Sequence, residues 1–332
     1  MPRAVVLTSG GLDSILTLTV LARQGVEVTG LHCYSWFTVP KYRDFQRLPE
    51  WGEFRGFPVR NLNVDREHTR VLLHPVHGYG SAVNPCLDCK VLFFRKAAEL
   101  MREIGADFAA SGEVLGQRPM TQRMHALRLT ERESGLQGRL LRPLSARLLP
   151  PTVPEREGMV DREKLYDIQG RGRRRQMELA ERFGISDYPS PAGGCLVTEK
   201  NFQIRFVELV GHEQDPGMID LILLKYGRHF RLPGGGKLIV GKHHQENEYL
   251  RSLPAQQKAS LDVVHPMGPF SLLDWDGSVG ALRLSLRIIA RYCIHKSPDG
   301  VVRYLLECGP RRARLSCSIP AGGETTDAFI IR

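Results

Sequence analysis

Short apolar runs and helical spacing take turns along the first part of the chain. Ala4–Leu7 is an apolar run of strand length, and Ile15, Leu18, Val20 and Leu21 then recur at helical spacing across Ser14–Arg23. Gly25 predicts a helix stop, and Val26–Leu31 resumes as a strand. Strand, helix and strand in this order predict a βαβ opening, hence a parallel sheet with ligands beyond the carboxyl ends of its strands. Phe57–Val64 predicts a further strand. A loop over His74–Pro85 leads into a helix from Leu87 to Ile104, and the short strand Asp107–Ala110 ends in Ser111-Gly112-Glu113. The stretch Arg139–Pro154 is proline-broken and basic, and Arg162–Gly184 predicts one or two helices.

Beyond residue 200 the pattern changes. Asn201–Val210 and Gly217–Leu224 alternate apolar and polar residues around turns, and a tight turn at Leu232–Lys237 precedes the apolar Leu238–Val240. Arg283–Ile294 and Val301–Cys317 hold strand-like runs. The reading is α/β for residues 1–200, with a parallel sheet, and a smaller α+β domain for 201–332, with no internal repeat.

Composition narrows the class. The chain has 332 residues, 42% hydrophobic and 25% charged, which excludes wholesale disorder and a fibre. No apolar run reaches the roughly 18–20 residues of a membrane span. The start Met1-Pro2-Arg3 lacks a secretory pattern, so a soluble, cytoplasmic protein is expected. The formal charge is +10, from 29 Lys and Arg against 23 Asp and Glu up to Lys200 and 17 against 13 beyond it. A basic surface spread over both parts suits a polyanion such as RNA. An odd count of seven cysteines points away from a disulfide framework and toward metal or thiol chemistry.

Ser9-Gly10-Gly11-Leu12-Asp13-Ser14 is the most informative hexapeptide. Two glycines between a strand and a helix let the backbone turn tightly and aim N–H groups at one point, and the helix adds its positive end. Ser9 and Ser14 are candidate donors to phosphate oxygens, and Asp13 is a candidate for Mg2+ or for fixing the loop. Neither the Walker pattern nor the dinucleotide fingerprint is present.

Asn84-Pro85-Cys86-Leu87-Asp88-Cys89-Lys90 sets two thiols three residues apart at a predicted helix start, where the dipole is expected to lower thiol pKa. A third thiol follows in Ser190-Pro-Ala-Gly-Gly-Cys195. Three readings stand side by side. Cys86, Cys89 and Cys195 suit a 4Fe-4S cluster with one open iron. A zinc would need a fourth ligand such as His74, His77 or water. Alternatively, one cysteine carries a persulfide that another resolves. The other four cysteines read as core residues.

Taken together, the Ser9–Ser14 loop, NPCxxCK, Ala110-Ser111-Gly112-Glu113 and PAGGC resemble the tRNA thiouridine synthetases among the PP-loop, or N-type, ATP pyrophosphatases. In the bacterial 2-thiouridylases the matching motifs are NPxxxCN, a strand ending ATGH, and a late PxGxC. Cys86 and Glu113 depart from that pattern, Glu113 standing where those enzymes often have His. The three-cysteine version is similar to iron–sulfur-dependent tRNA thiolases. The resemblance implies ATP bound at Ser9, Gly10, Gly11, Asp13, Ser14, Ser111 and Gly112, with Mg2+. It also implies catalytic roles for Asp13, Cys89 and Cys195, tRNA as partner, and an external sulfur donor, sulfide or persulfide. Arg142-Pro143-Leu144-Ser145 resembles a turn bordering the nucleotide or tRNA site. Arg171, Arg173, Arg174 and Arg175 are candidate phosphate clamps on RNA. Between Asp215 and Leu253 the text GRHFRLPGGGKLIVGKHHQENEYL resembles the NFACT-R RNA-binding module, which implies that Lys237 and Lys242 face RNA.

Overall fold

The computed structural model describes residues 1–39, 41, 43, 46–190, 195–253, 258–265, 267–293, 300–318 and 326–331. The chain divides into two units, Met1–Thr198 and Glu199–Arg332.

In the first unit β1 (Arg3–Leu7), α1 (Leu12–Ala22) and β2 (Glu27–Tyr34) form the expected βαβ opening. There follow β3 (Trp51–Phe54), β4 (Phe57–Asn63), α2 (Asp65–Leu73), α3 (Cys86–Ile104), β5 (Phe108–Ser111), α4 (Met124–Ser134), β6 (Leu140–Leu141), α5 (Val153–Arg156) and α6 (Arg174–Arg182). The sheet order is β3-β4-β2-β1-β5-β6. All neighbours are parallel except the edge pair β3 and β4. The chain leaves β1 for β2 on one side and later returns to β5 on the other. The crevice between the carboxyl ends of β1 and β5 is therefore the switch point where open α/β sheets bind ligands.

Two helices set up that crevice. The face of α1 is apolar almost all round. Leu18, Val20 and Leu21 pack with Val6, Val28 and Phe108, while Leu12 and Leu16 pack with Ile168, Leu179 and Ala180 beside α6. Each such fully buried leucine contributes about 1.5–3 kcal/mol of transfer free energy. The register of α3 follows from Val91, Phe94, Ala97, Leu100 and Met101, which recur at helical spacing and are buried. Pro85 stands at its entry and Gly105 ends it in the left-handed conformation at φ 66°.

The second unit begins with two helices, α7 (Lys200–His212) and α8 (Met218–Leu223). Then come β7 (Arg228–Arg231), β8 (Lys237–Val240), α9 (His244–Ser252), β9 (Ala259–His265), β10 (Phe270–Leu273), α10 (Val279–Ala290), β11 (Val301–Cys308) and β12 (Arg311–Ser318). The strands form one antiparallel sheet, β12-β11-β9-β10-β8-β7. Leu286, Ile288 and Ile289 of α10 pack on Phe230, Leu238, Leu261 and Tyr304.

Three expectations give way here. Asn201–Val210 and Gly217–Leu224 lie on helices, and so does the stretch from Arg283 to Ala290; Ile294 lies outside the described residues. No helix among the described residues is long and apolar enough to cross a membrane.

Candidate functional site

The loop from Ser9 to Ser14 leaves β1 and enters α1 as expected. Gly10 sits at φ 75°, a conformation that favours glycine, and Gly11 stands at the helix entry. Ser9 is exposed, but Ser14 is buried and its hydroxyl donates to the Gly11 carbonyl at 2.8 Å. Ser9 is thus presented outward, while Ser14 holds the loop in shape. The end of β5 closes against this loop. A Cβ on Gly112 would lie 2.5 Å from the Asp13 carbonyl carbon and 2.8 Å from the Ser14 nitrogen. The Ser111 hydroxyl faces inward, donating to Glu113 at 3.4 Å.

Asp13 is the charged group of this corner. Its Oδ2 accepts from Gln117 Nε2 at 3.1 Å, while Oδ1 is buried with no hydrogen-bond partner among the described residues. Burial raises its pKa, opposed by Gln117, Arg173, Gln176 and Arg118. A buried carboxylate oxygen with open coordination fits a divalent cation accompanying a triphosphate. Of the arginines expected on RNA, Arg173 is the one whose charge bears on Asp13. Arg174 pairs with Glu178 at 2.8 Å, Arg175 pairs with Asp167 at 2.5 Å, and Arg171 is exposed.

Glu113 is buried beneath the loop. Its carboxylate meets Arg142 Nε at 2.9 Å and Lys90 Nζ at 3.3 Å, and Arg142 continues to Glu131 and to the Leu127 carbonyl at 3.3 Å. Although burial works against the charge, Lys90 and Arg142 hold the Glu113 pKa below its ordinary value. Arg142 is 2% exposed, so this residue braces the site from inside and presents no surface to RNA.

The thiols are placed by α3. Cys86 Sγ accepts from Asn84 Nδ2 at 3.1 Å, whereas Cys89 Sγ lies 3.0 Å from His68 Nε2 on α2. Cys195 is exposed and lies near enough for its charge, like that of Cys86 and Asp88, to press on the Cys89 thiol. The expected helix-dipole lowering does not prevail at Cys89. Burial, the largest influence, pushes its pKa up, and Lys90 opposes only in part.

Among the described residues no three His, Cys, Asp or Glu side chains gather to hold a metal ion. Cys86 and Cys89 face different partners, Asn84 and His68, and this arrangement does not by itself support a 4Fe-4S cluster on Cys86, Cys89 and Cys195. His77, named as one possible zinc ligand, has its two ring nitrogens facing Asp88 at 3.1 Å and Glu133 at 3.2 Å. Pro191, Ala192, Gly193 and Gly194 of the PAGGC motif lie outside the described residues.

In the second unit Lys237 is 4% exposed and paired with Glu208 at 3.4 Å, so it does not face RNA; Lys242 is exposed. Sequence reasoning missed His68, Ser35, Lys90 and Gln117. Lys90 closes the NPCxxCK motif but was given no role there, and Gln117 lies a short loop beyond Glu113, but nothing local marks His68 or Ser35.

Residues 2–132 match the family described as tRNA methyl transferase HUP domain. That stretch spans β1 to β5 and holds the Ser9–Ser14 loop. Residues 227–312 match the NFACT protein RNA binding domain. The chain is 26% identical over 265 residues to a tRNA-specific 2-thiouridylase MnmA of Streptococcus pyogenes serotype M49, covering 74% of this chain and 67% of that one. To the enzyme of the same name from Limosilactobacillus reuteri it is 30% identical over 137 residues, 38% of this chain and 36% of that one. The aligned part thus spans about a third of the Limosilactobacillus protein. A solved structure described as a predicted subunit of tRNA methyltransferase from Methanocaldococcus jannaschii aligns at 15% identity and a TM-score of 0.36. It covers 64% of this chain and 89% of that one.

Proposed function

We propose that the protein is an ATP-dependent tRNA sulfurtransferase that converts a uridine carbonyl to a thiocarbonyl. The observation that carries this reading is the presence, within one unit, of a glycine-bearing loop at the β1–β5 crevice and of the neighbouring thiols Cys89 and Cys195. Ser9, Gly10 and Gly11 turn toward the phosphates of ATP, and Gly112 lets the end of β5 close on them. Asp13 would hold Mg2+, which supplies charge neutralisation on the triphosphate. The uridine oxygen attacks the α-phosphorus and pyrophosphate leaves, which makes the oxygen part of a good leaving group, AMP.

Sulfur follows through thiol chemistry. Cys195, exposed to an external persulfide donor, carries a sulfane sulfur that displaces AMP and joins the base. The Cys89 thiolate then attacks the Cys195 sulfur, forming a Cys89–Cys195 disulfide and releasing the thiouridine. The sulfane sulfur is reduced, the two cysteines are oxidised, and a dithiol reductant restores them. In this reading the NFACT-type domain and the exposed Arg171 and Lys242 contribute phosphate contacts that position tRNA. It puts the protein in the cytoplasm with its substrate.

The test incubates the protein with unmodified tRNA, ATP, Mg2+ and a persulfide donor, followed by nucleoside mass analysis. Thiouridine formed one-to-one with AMP is expected. AMP release that is equal without tRNA would overturn the tRNA acceptor. Four irons and four sulfides per chain in oxygen-free preparations, required for activity, would overturn the persulfide route.

A further inference from the structure

His68 of α2 is held on every side. The ring is 2% exposed, lies 3.9 Å from the Phe37 ring centroid, and meets Phe93 edge-on at 5.2 Å. Its Nδ1 lies 2.9 Å from Ser35 Oγ and its Nε2 lies 3.0 Å from Cys89 Sγ. The platform beneath it is fixed, since the Trp36 amide donates to Asp65 at 2.7 Å and the Trp36 indole to Thr69 at 2.8 Å, both on α2.

Hydrogen accounting sets the tautomer. Burial lowers the His68 pKa to about 3, so the imidazole is neutral at physiological pH and carries a single N–H. Ser35 is fully buried, and among the described residues its hydroxyl has one hydrogen-bond partner, His68 Nδ1. Were Nδ1 the donor, the Ser35 hydroxyl hydrogen would be buried without an acceptor, a costly arrangement. With Ser35 donating to Nδ1, the hydroxyl hydrogen is satisfied and the ring N–H is on Nε2, aimed at the Cys89 sulfur; the hydrogen left without this acceptor is the Cys89 S–H, a far weaker donor than a hydroxyl.

We propose that His68 is a catalytic residue of the sulfur-transfer step, a neutral N–H donor that stabilises the Cys89 thiolate, with Ser35 as the positioning residue that fixes its tautomer. The inference rests on the sulfurtransferase reading for its role, but not for its geometry. Cys89 needs such a donor because burial opposes its ionised form and Cys86, Asp88 and Cys195 add to the opposition, with Lys90 the neighbouring cation that opposes them. A pre-aligned donor held between Phe37 and Phe93 stabilises developing charge without reorganisation. When Cys89 attacks the Cys195 sulfur, its own proton has already left to solvent and the thiouridine anion takes one up, so the step is proton-neutral overall. When the dithiol reductant later opens the disulfide, the same N–H supports Cys89 as leaving group.

The experiment alkylates the full-length protein with iodoacetamide across pH and follows each cysteine by peptide mass mapping. His68→Phe is expected to raise the midpoint for Cys89 by about one unit or more, roughly tenfold slower labelling at a given pH. Ser35→Ala gives a smaller shift, His68→Gln restores part of the loss, and Cys195 labels as in wild type. Superimposable Cys89 profiles in wild type, His68→Phe and Ser35→Ala would overturn the proposal. If a melting curve shows His68→Phe unfolded, Ser35→Ala decides alone, since it removes only a hydroxyl. Failure of wild-type protein to form thiouridine would sink the sulfurtransferase reading but leave the alkylation result to judge His68.

Discussion

Gly112 at the end of β5 lies so close to Asp13 that a Cβ would meet the Asp13 carbonyl carbon at 2.5 Å. The atoms it would strike are backbone, and backbone at a helix entry cannot rotate away. Gly112→Ala therefore shifts the nucleotide loop or forces the two strands apart, at about 1–3 kcal/mol of strain. Calorimetric titration with ATP is expected to show at least about tenfold weaker binding, matching roughly 1.4 kcal/mol. Unchanged affinity would mean that the β5 end plays no part in shaping the loop.

Glu113 and Arg142 make the second relationship that a variant can test. Both are buried, and removing one charge leaves the other without its partner, a change that costs about 3–5 kcal/mol. Arg142→Met is expected to melt well below wild type, and Glu113→Gln likewise. The pH dependence has a definite sign. Lys90 and Arg142 hold the folded-state pKa of Glu113 below its ordinary 4.5 despite burial, so its stabilisation is fully present above that value. It is lost as pH falls below 4.5 toward the folded pKa. Urea melts at pH 7 and pH 4 should show wild type losing more stability on acidification than Glu113→Gln.

The arginine run separates by function once folded. Arg173 bears on Asp13 at the nucleotide loop, whereas Arg174 pairs with Glu178 on an exposed helix face. Arg173→Gln is expected to raise the KM for ATP about tenfold, near 1.4 kcal/mol. Arg174→Gln removes a surface pair worth about 0–1 kcal/mol and should leave that KM within about twofold. Equal effects on KM for ATP would contradict the assignment.

These three sites were legible in the sequence to different depths. Ala4–Leu31 could be read because strand, Gly-rich turn and helix each carry local signals and agree. The helix α7 could not, because Phe202, Ile204 and Phe206 satisfy alternation while Phe202, Phe206 and Leu209 satisfy helical spacing; only packing buries the second set. The same ambiguity runs through Leu284, Leu286 and Ile288 of α10. At the site, the Ser9–Ser14 loop is a contiguous motif, and its place between β1 and α1 was visible as such. Lys237 next to a glycine turn reads as an exposed cation, and only the fold reveals Glu208 opposite it. The contact of His68 with Cys89 spans 21 residues and two helices, so no local pattern contains it.

The two thiols should fail differently when changed. Cys195 is exposed and is the proposed carrier, so Cys195→Ser is expected to accept no sulfane sulfur and to form no thiouridine. Cys89 acts one step later. Cys89→Ser should load sulfur on Cys195, transfer it to the adenylated base, and stop with tRNA joined to Cys195 through a disulfide. Denaturing gels without reductant should then show a slower species containing both protein and tRNA, which collapses when a dithiol is added. Wild type should show little of it, because Cys89 resolves the adduct, and Cys195→Ser none. A Cys86→Ser protein should behave as wild type in this gel, since Cys86 Sγ is engaged by Asn84 and has no step in the transfer. If Cys89→Ser gives free thiouridine at the wild-type rate, resolution does not pass through Cys89, and the assignment of that thiol falls with it.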